Sequence, residues 1–147
     1  MKKENVTMFF YHANFNVKDL NAAVAFYRDV LGLKQVDYFN VGDGALELVF
    51  MGDERGMMLE LTCVHRECPE TEFYVPQEKL TIPAEKMPFH IAFYSHDYAN
   101  DLAEHRAMGL VVDEEPHASV YFIRDPEGYL VEIGDGALYD NIAKQTQ

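Results

Sequence analysis

The sequence is poor in basic residues and has no apolar run long enough to cross a membrane. Its 147 residues include 12 Lys and Arg against 25 Asp and Glu, a formal net charge of −13. Such a chain is repelled by nucleic-acid phosphates and by anionic lipid, so we expect neither as a partner. Residues 1–5 (MKKEN) are not followed by the apolar core of a secretory signal, and we expect a cytoplasmic location.

Serine and cysteine are also scarce. Ser95 and Ser119 are the two serines, neither lies in a nucleophile-elbow sequence, and no phosphate-binding glycine loop is present. Cys63 and Cys68 are five residues apart and do not form a Cys-x-x-Cys pair. We therefore expect two reduced cysteines rather than a disulfide or a zinc site.

The sequence does contain an internal repeat. Residues 56–61 (GMMLEL) return 72 positions later as residues 128–133 (GYLVEI). Four flanking residues match at the same offset: Phe50 with Phe122 and Asp53 with Asp125. Short alternating apolar runs after a glycine indicate strands, and alternation sets Glu60 and Glu132 on the face opposite their aliphatic neighbours. A carboxylate within an apolar strand is costly unless it is paired, so the two glutamates need a shared explanation.

The first copy of the repeat, residues 7–64, predicts the element order βαβββ. Its apolar spacing and turn residues predict a strand over 7–17, a helix from the cap Asp19 to about 31, and strands over 34–41, 45–51 and around Glu60. The Asp43-Gly44 pair predicts a hairpin between the second and third strands.

The second copy, residues 88–134, repeats this order within what we take to be one domain of 147 residues. We expect a strand over 88–95, a helix from the cap Asp97 to about 108, and strands over 110–113, 118–124 and around Glu132. Residues 65–87 form a long connection between the modules, and the tail predicts a short helix over 137–144.

Each module contributes one histidine from its first strand and one glutamate from its last. His12, Glu60, His90 and Glu132 provide two imidazoles and two carboxylates, a donor set suited to Zn, Ni, Co, Mn or Fe(II). A cation would also supply the partner that the two glutamates need. Taken one at a time, each histidine could be a hydrogen-bonded core residue and each glutamate could lie on an exposed edge strand. Because the repeat places all four at equivalent positions, we favour metal binding over these structural roles.

The remaining histidines are explained by solvent exposure. They are His65, His96, His105 and His117. Tyr94 and Tyr121 lie in strands that approach the metal-binding candidates, and we expect them to contact substrate.

Two motifs resemble the vicinal oxygen chelate superfamily. Residues 17–20 (VKDL) with 25–33 (AFYRDVLGL) resemble its opening motif, and residues 122–132 (FIRDPEGYLVE) resemble its closing motif. The similarity covers about residues 10–134. It implies an α+β fold in which two paired βαβββ modules form an open, metal-holding cavity.

Within that superfamily, a His, Glu, His, Glu set is the pattern of glyoxalase I (lactoylglutathione lyase). The resemblance implies that His12, Glu60, His90 and Glu132 ligate one divalent ion, Zn, Ni, Co or Mn rather than Fe. It implies a small-molecule substrate, such as a hemithioacetal of methylglyoxal, that isomerises through an enediolate. Glu132 is then the base, with Glu60 as ligand or partner base. The resemblance also implies a homodimer, with the metal site either within one chain or shared between two.

Three positions depart from the usual glyoxalase I pattern. Asn16 replaces an arginine that grips the glutathione carboxylate, Val64 replaces an asparagine, and Phe89 replaces a glycine before the second histidine. The thiol therefore stays open. Two alternatives share the fold: an Fe(II) extradiol-type dioxygenase, which uses two histidines and one glutamate, and a metal-free binding or resistance module, which the complete ligand set disfavours.

Overall fold

The computed structural model describes residues 8–67, 76, 79 and 83–145. The chain divides into two compact units, residues 1–81 and 82–147, called here the N-terminal and C-terminal units. The assignment of both to a single domain stays a prediction. Among the described residues, no helix has both the length and the apolar character needed to span a membrane.

The N-terminal unit has the predicted order βαβββ. Its elements are β1 (His12–Asn16), α1 (Leu20–Asp29), β2 (Lys34–Val41), β3 (Leu46–Gly52) and β4 (Met58–Val64). The four strands form one sheet in the order β1-β4-β3-β2. The β1–β4 pair is parallel and the other two pairs are antiparallel.

The C-terminal unit repeats this topology. Its elements are β5 (His90–Ser95), α2 (Tyr98–Ala107), β6 (Val111–Glu115), β7 (Val120–Arg124) and β8 (Leu130–Asp135), followed by α3 (Gly136–Lys144). The sheet order is β5-β8-β7-β6, again with one parallel pair, β5–β8. A short 3₁₀ helix, Ala84–Lys86, precedes β5 and was not predicted.

The first two helices begin after the predicted caps and end two residues and one residue before the predicted positions, at Asp29 and Ala107. The Asp19 carboxylate accepts a hydrogen bond from the Ala22 amide at 2.9 Å, and Asp97 caps α2 in the same way. Gly32 and Gly109 follow the two helices with φ of +72° each, a conformation that glycine adopts without strain. These local signals define both helices in the sequence alone.

One face of each sheet packs against helix and forms the core. In the N-terminal unit, α1 lies against β3 and β4. The fully buried side chains there include Val17, Tyr27, Met51 and Leu61. In the C-terminal unit they include Tyr121, Ile123 and Val131. Because strand side chains alternate, Glu60 and Glu132 project from the faces opposite these residues.

The first strand is shorter than predicted. Strand pairing begins at His12, opposite Met58 at the start of β4, whereas the alternating pattern predicted a strand from residue 7. Phe9 and Tyr11 are 84% and 54% exposed and are not part of the core. An alternating apolar pattern does not form a strand where no neighbouring strand is present to pair with it, and β4 begins only at Met58. Cys68, whose reduced state was predicted, lies outside the described residues.

Candidate metal centre

In the N-terminal unit, strand pairing brings His12 and Glu60 together. β1 and β4 run parallel, with Asn14 directly opposite Glu60, so His12 lies one alternate position away on the same face. His12 Nε2 is 3.5 Å from Glu60 Oε2. The Nδ1 atom of His12 is buried and has no hydrogen-bond partner among the described residues. A buried nitrogen without a partner is unusual, but the nitrogen that faces Glu60 is Nε2.

Neutral neighbours hold the other oxygen of Glu60. The Thr62 hydroxyl donates to Glu60 Oε1 at 3.2 Å. In the amide orientation that satisfies its contacts, Asn14 Nδ2 donates to the same oxygen at 3.0 Å. The carboxylate is buried, with its side chain 9% exposed. Its Oε1 is therefore anchored, and its Oε2 faces His12.

The C-terminal unit has the same arrangement. His90 Nε2 is 3.1 Å from Glu132 Oε2. Residue Ala92 lies directly opposite Glu132 in the parallel β5–β8 pair, so His90 again precedes that position by two residues. The Glu132 side chain is 18% exposed, twice the fraction of Glu60. Of the two carboxylates, Glu132 is more accessible to a small molecule.

Tyr139 anchors Glu132 from α3. Its hydroxyl donates to Glu132 Oε1 at 2.7 Å, the position that Thr62 and Asn14 fill for Glu60. Burial, followed by this hydrogen bond, raises the pKa of Tyr139 well above its usual value, so the phenol stays protonated and donates. A Cβ at Gly134 would overlap the phenol of Tyr139. The glycine therefore lets α3 bring Tyr139 onto β8.

Sequence reasoning missed Tyr139. The signal was a glycine on either side of Asp135, just before a predicted helix that carries a tyrosine. The second of these, Gly136, lies against the ring of Tyr94. Glycine in or next to a strand often marks a position that another group approaches closely.

A phenylalanine packs against each histidine at a matched position. Phe50 of β3 meets His12 edge-on with ring centroids 5.4 Å apart, and Phe122 of β7 meets His90 at 5.7 Å. Phe50 and Phe122 lie opposite Glu60 and Glu132 in their sheets. These two residues match in the sequence repeat, and the structure shows that each contacts a histidine ring edge-on.

The donor chemistry of both pairs fits a divalent metal. Each pair offers one imidazole and one carboxylate, and each carboxylate is anchored through Oε1. Carboxylates that ligate metals are themselves commonly hydrogen-bonded in this way. Across the part of the chain that the structure describes, no set of three or more His, Cys, Asp or Glu side chains is assembled for a metal. Each unit thus has one His–Glu pair of its own.

His105 and Tyr121 do not lie where the sequence predicted them. His105 is 6% exposed, so solvent exposure does not explain it, and its Nδ1 lies 2.8 Å from the Tyr121 hydroxyl. Tyr121 is fully buried and projects toward α2, on the sheet face opposite Glu132. The prediction that Tyr121 contacts substrate at the metal-binding candidates is therefore wrong. Burial raises its pKa. Tyr94 shares the His90 face but donates to Asp140 at 3.0 Å.

Comparison with known proteins defines the family. The model of the glyoxalase/bleomycin resistance protein/dioxygenase superfamily matches residues 10–133, which spans both sheets. The chain belongs to this superfamily. The predicted resemblance and the predicted α+β fold are thereby confirmed.

The similar proteins include an uncharacterized protein and two glyoxalase-type enzymes. YwbC of Bacillus subtilis (strain 168), an uncharacterized protein, is 34% identical over 128 residues, 82% of this chain and 92% of its own. The trypanothione-dependent glyoxalase I of Leishmania major aligns over 95% of both chains with a TM-score of 0.71 and 24% identity. The lactoylglutathione lyase of Agrobacterium tumefaciens covers 89% of this chain and 96% of its own, with a TM-score of 0.57 and 25% identity.

A fosfomycin resistance protein has the same fold. FosX of Mesorhizobium loti aligns over 97% of this chain and 99% of its own, with a TM-score of 0.62 and 17% identity. At that identity the likeness concerns the fold alone. The superfamily thus includes enzymes and resistance proteins, and the choice between them rests on the site of this chain.

Proposed function

We propose that this protein is a metal-dependent lyase or isomerase of the glyoxalase I type, acting on a hemithioacetal or related α-hydroxycarbonyl. The duplicated half-site carries the proposal: His12 with Glu60 and His90 with Glu132, each with one anchored carboxylate oxygen. A structural role explains one buried glutamate. It does not explain why both units pair a glutamate with a histidine at equivalent positions.

The four residues would hold one divalent cation, Zn, Ni, Co or Mn. When bound, such a cation supplies Lewis acidity that makes the C–H between a hydroxyl and a carbonyl oxygen more acidic and stabilises negative charge on those oxygens. The donor set has no thiolate and fits these borderline cations. We propose a homodimer, as the resemblance implies, located in the cytoplasm.

Glu132 is the residue best suited to move the proton. Its Oε1 is held by Tyr139, so the carboxylate keeps one orientation while Oε2 accepts a proton from one substrate carbon and returns it to the next. Its greater exposure than Glu60 favours it for contact with substrate. Glu60, buried and held by neutral donors, serves as ligand or partner base.

The thiol of the substrate is proposed to differ from glutathione. Asn16 lies where an arginine usually grips the glutathione carboxylate, and its amide is 3.0 Å from that of Asn14. Val64, where the pattern has asparagine, is 5% exposed and offers no polar group. A net charge of −13 further disfavours an anionic thiol. A neutral or cationic thiol fits these residues better.

The test is an assay of methylglyoxal hemithioacetals formed with several thiols, using metal-loaded protein. We expect turnover with at least one neutral or cationic thiol. The Glu132→Gln variant should keep most of its bound metal and lose turnover by about a hundredfold or more, because the amide cannot accept the proton.

The matched control is Glu127→Gln, in the turn before β8 and away from the His–Glu pair. It should turn over like the wild type. Near-full activity of Glu132→Gln would contradict the role of base. Oxygen uptake with a catechol in Fe(II)-loaded protein would instead place the chain with the dioxygenases. Tight binding of an apolar ligand without any metal uptake would make it a binding module.

A further inference from the structure

A second cluster of reactive side chains lies on the opposite face of the N-terminal sheet from Glu60. Cys63 of β4, Glu47 of β3 and His65, just after β4, line a cavity of about 320 Å³. Lys18 and Asp19, at the start of α1, form another wall. A cavity of this size accommodates a small organic molecule.

The three side chains form a chain of contacts. His65 Nε2 is 2.6 Å from Glu47 Oε2, and Cys63 Sγ is 4.0 Å from His65 Nδ1. The Tyr38 hydroxyl donates to the other oxygen of Glu47 at 2.7 Å. These contacts give a nucleophile, a base beside it and a carboxylate that orients the base, the order that activates thiols and hydroxyls in enzymes.

The carboxylate sets the protonation of the imidazole. The Tyr38 hydroxyl, and then His65, lower the pKa of Glu47, which keeps it ionised. An ionised Glu47 accepts a proton only from Nε2–H, so the neutral ring has its lone pair on Nδ1, the atom that faces Cys63. Proton transfer from Sγ to Nδ1 then gives a thiolate and an imidazolium that Glu47 stabilises.

Cys63 is 5% exposed and lies among groups of both signs. The charged groups that face the cavity are Lys18 and Asp19 before α1, Glu47 from β3 and His65 itself. The positive end of the α1 dipole lies at the same wall, where it favours negative charge. The Cys63 thiol donates to the Lys18 carbonyl oxygen at 3.5 Å, so the proton turns from this acceptor to His65 Nδ1, 4.0 Å from the sulfur, when it is transferred.

We propose that Cys63, His65 and Glu47 form a nucleophilic thiol site that adds reversibly to small aldehydes. In this step a bond forms between Sγ and the aldehyde carbon, and the carbonyl π bond breaks. The carbonyl oxygen takes the proton that His65 received from the thiol, so the product is a hemithioacetal and no further reactant is needed. The proposal does not depend on the metal, since none of its residues belongs to the His–Glu pairs.

The first experiment measures the nucleophilicity of Cys63. Cys68→Ala leaves Cys63 as the single cysteine of the full chain, and intact mass reports its alkylation by iodoacetamide, which displaces iodide. At about pH 7 we expect alkylation faster than that of free cysteine, and the rate should reach its plateau below the usual thiol pKa of about 8.5.

Variants test the roles of the neighbours. In the same background, His65→Gln should slow alkylation about tenfold or more near neutral pH and move the midpoint of the pH profile upward. Glu47→Gln should give a smaller loss in the same direction. The control His117→Gln, an exposed histidine of the C-terminal unit, should react like the parent. The His65 side chain is about half exposed, so thermal unfolding should show that these variants fold.

The second experiment tests the aldehyde directly. Acetaldehyde labelled with ¹³C at its carbonyl should give a hemithioacetal carbon signal with the Cys68→Ala protein and none with Cys63→Ser in the same background. The signal should disappear on dilution. Alkylation no faster than that of free cysteine at every pH, an unchanged rate in His65→Gln, or no hemithioacetal signal would each overturn the proposal.

Discussion

Tyr139→Phe removes one hydroxyl from the candidate metal centre and leaves the ring in place. That hydroxyl donates to Glu132 Oε1 at 2.7 Å and is the contact by which α3 holds the carboxylate. Without it, Glu132 can rotate, and Oε2 no longer has a fixed position beside His90. The substitution therefore tests whether anchoring of the carboxylate matters for the metal.

The expected magnitude follows from the kind of bond that is lost. A hydrogen bond to a charged group contributes about 1.5–3 kcal/mol, and loss of a group that orients a metal ligand weakens metal affinity by about 10–100-fold. We expect the dissociation constant for Zn²⁺ to rise at least about tenfold, equivalent to about 1.4 kcal/mol. Competition with a chromophoric chelator measures this constant. Gly134→Ala should act in the same direction, because the added methyl group displaces the Tyr139 ring.

The matched control is Tyr121→Phe. Its hydroxyl makes a contact of similar length, 2.8 Å to His105, but on the opposite face of the same sheet. Thermal unfolding should show comparable destabilisation in the two variants, whereas metal affinity should fall only in Tyr139→Phe. Equal metal affinity in Tyr139→Phe and wild type, or an equal loss in Tyr121→Phe, would refute the reasoning.

Two further predictions concern stability and titration. Asp125→Ala should lower the free energy of unfolding by about 2 kcal/mol or more, because Asp125 is buried and its Oδ1 accepts from three backbone amides. Denaturant unfolding measures this change. Asp53→Ala removes two such bonds at an exposed turn and should lower the free energy of unfolding by less. Tyr38→Phe should raise the pKa of Glu47, the carboxyl that its hydroxyl now keeps ionised, as measured by ¹³C NMR. A carboxyl whose pKa is lower in the folded than in the unfolded protein stabilises the fold at pH values above its unfolded pKa. That stabilisation is lost as the pH falls through the folded pKa. The Tyr38→Phe variant should therefore lose stability near neutral pH and little in acid.

The repeat and the elements within it could be predicted because their signals are local. Aspartate caps, glycines after the helices and the hairpin at Asp43 depend on neighbouring residues alone, and β2 has the predicted bounds of Lys34–Val41. Strand alternation then assigned Glu60 and Glu132 to the faces opposite the core. The two His–Glu contacts follow from that alternation once the first and last strands of each module pair.

What could not be predicted depends on contacts between distant elements. Tyr139 reaches Glu132 only because α3 folds back onto β8, and no local pattern encodes that direction. His105 looked like a surface residue of an amphipathic helix, but it faces the sheet and meets Tyr121. The first strand was predicted from residue 7 because its aromatic alternation begins there, but among the described residues pairing begins at His12, where β4 provides a partner.

The same limit applies to the Cys63 cluster. Cys63 and His65 are two residues apart, and alternation sets them on the same side of the extended chain. Glu47 comes into contact only through the antiparallel pairing of β3 with β4, where it lies directly opposite Cys63. The sequence analysis interpreted Cys63 as a reduced cysteine without a role and His65 as solvent-exposed, because the contact with Glu47 that links them is not encoded locally.

The most direct test of the account is the metal content of untagged protein purified without chelator, measured by elemental analysis beside His12→Ala and His90→Ala. The account predicts near-stoichiometric Zn, Ni, Co or Mn per chain in the wild type and a large loss in both variants, because each unit contributes one half-site. Absence of metal in the wild type, with none taken up on titration, would contradict it. Full metal retention in both histidine variants would contradict it as well.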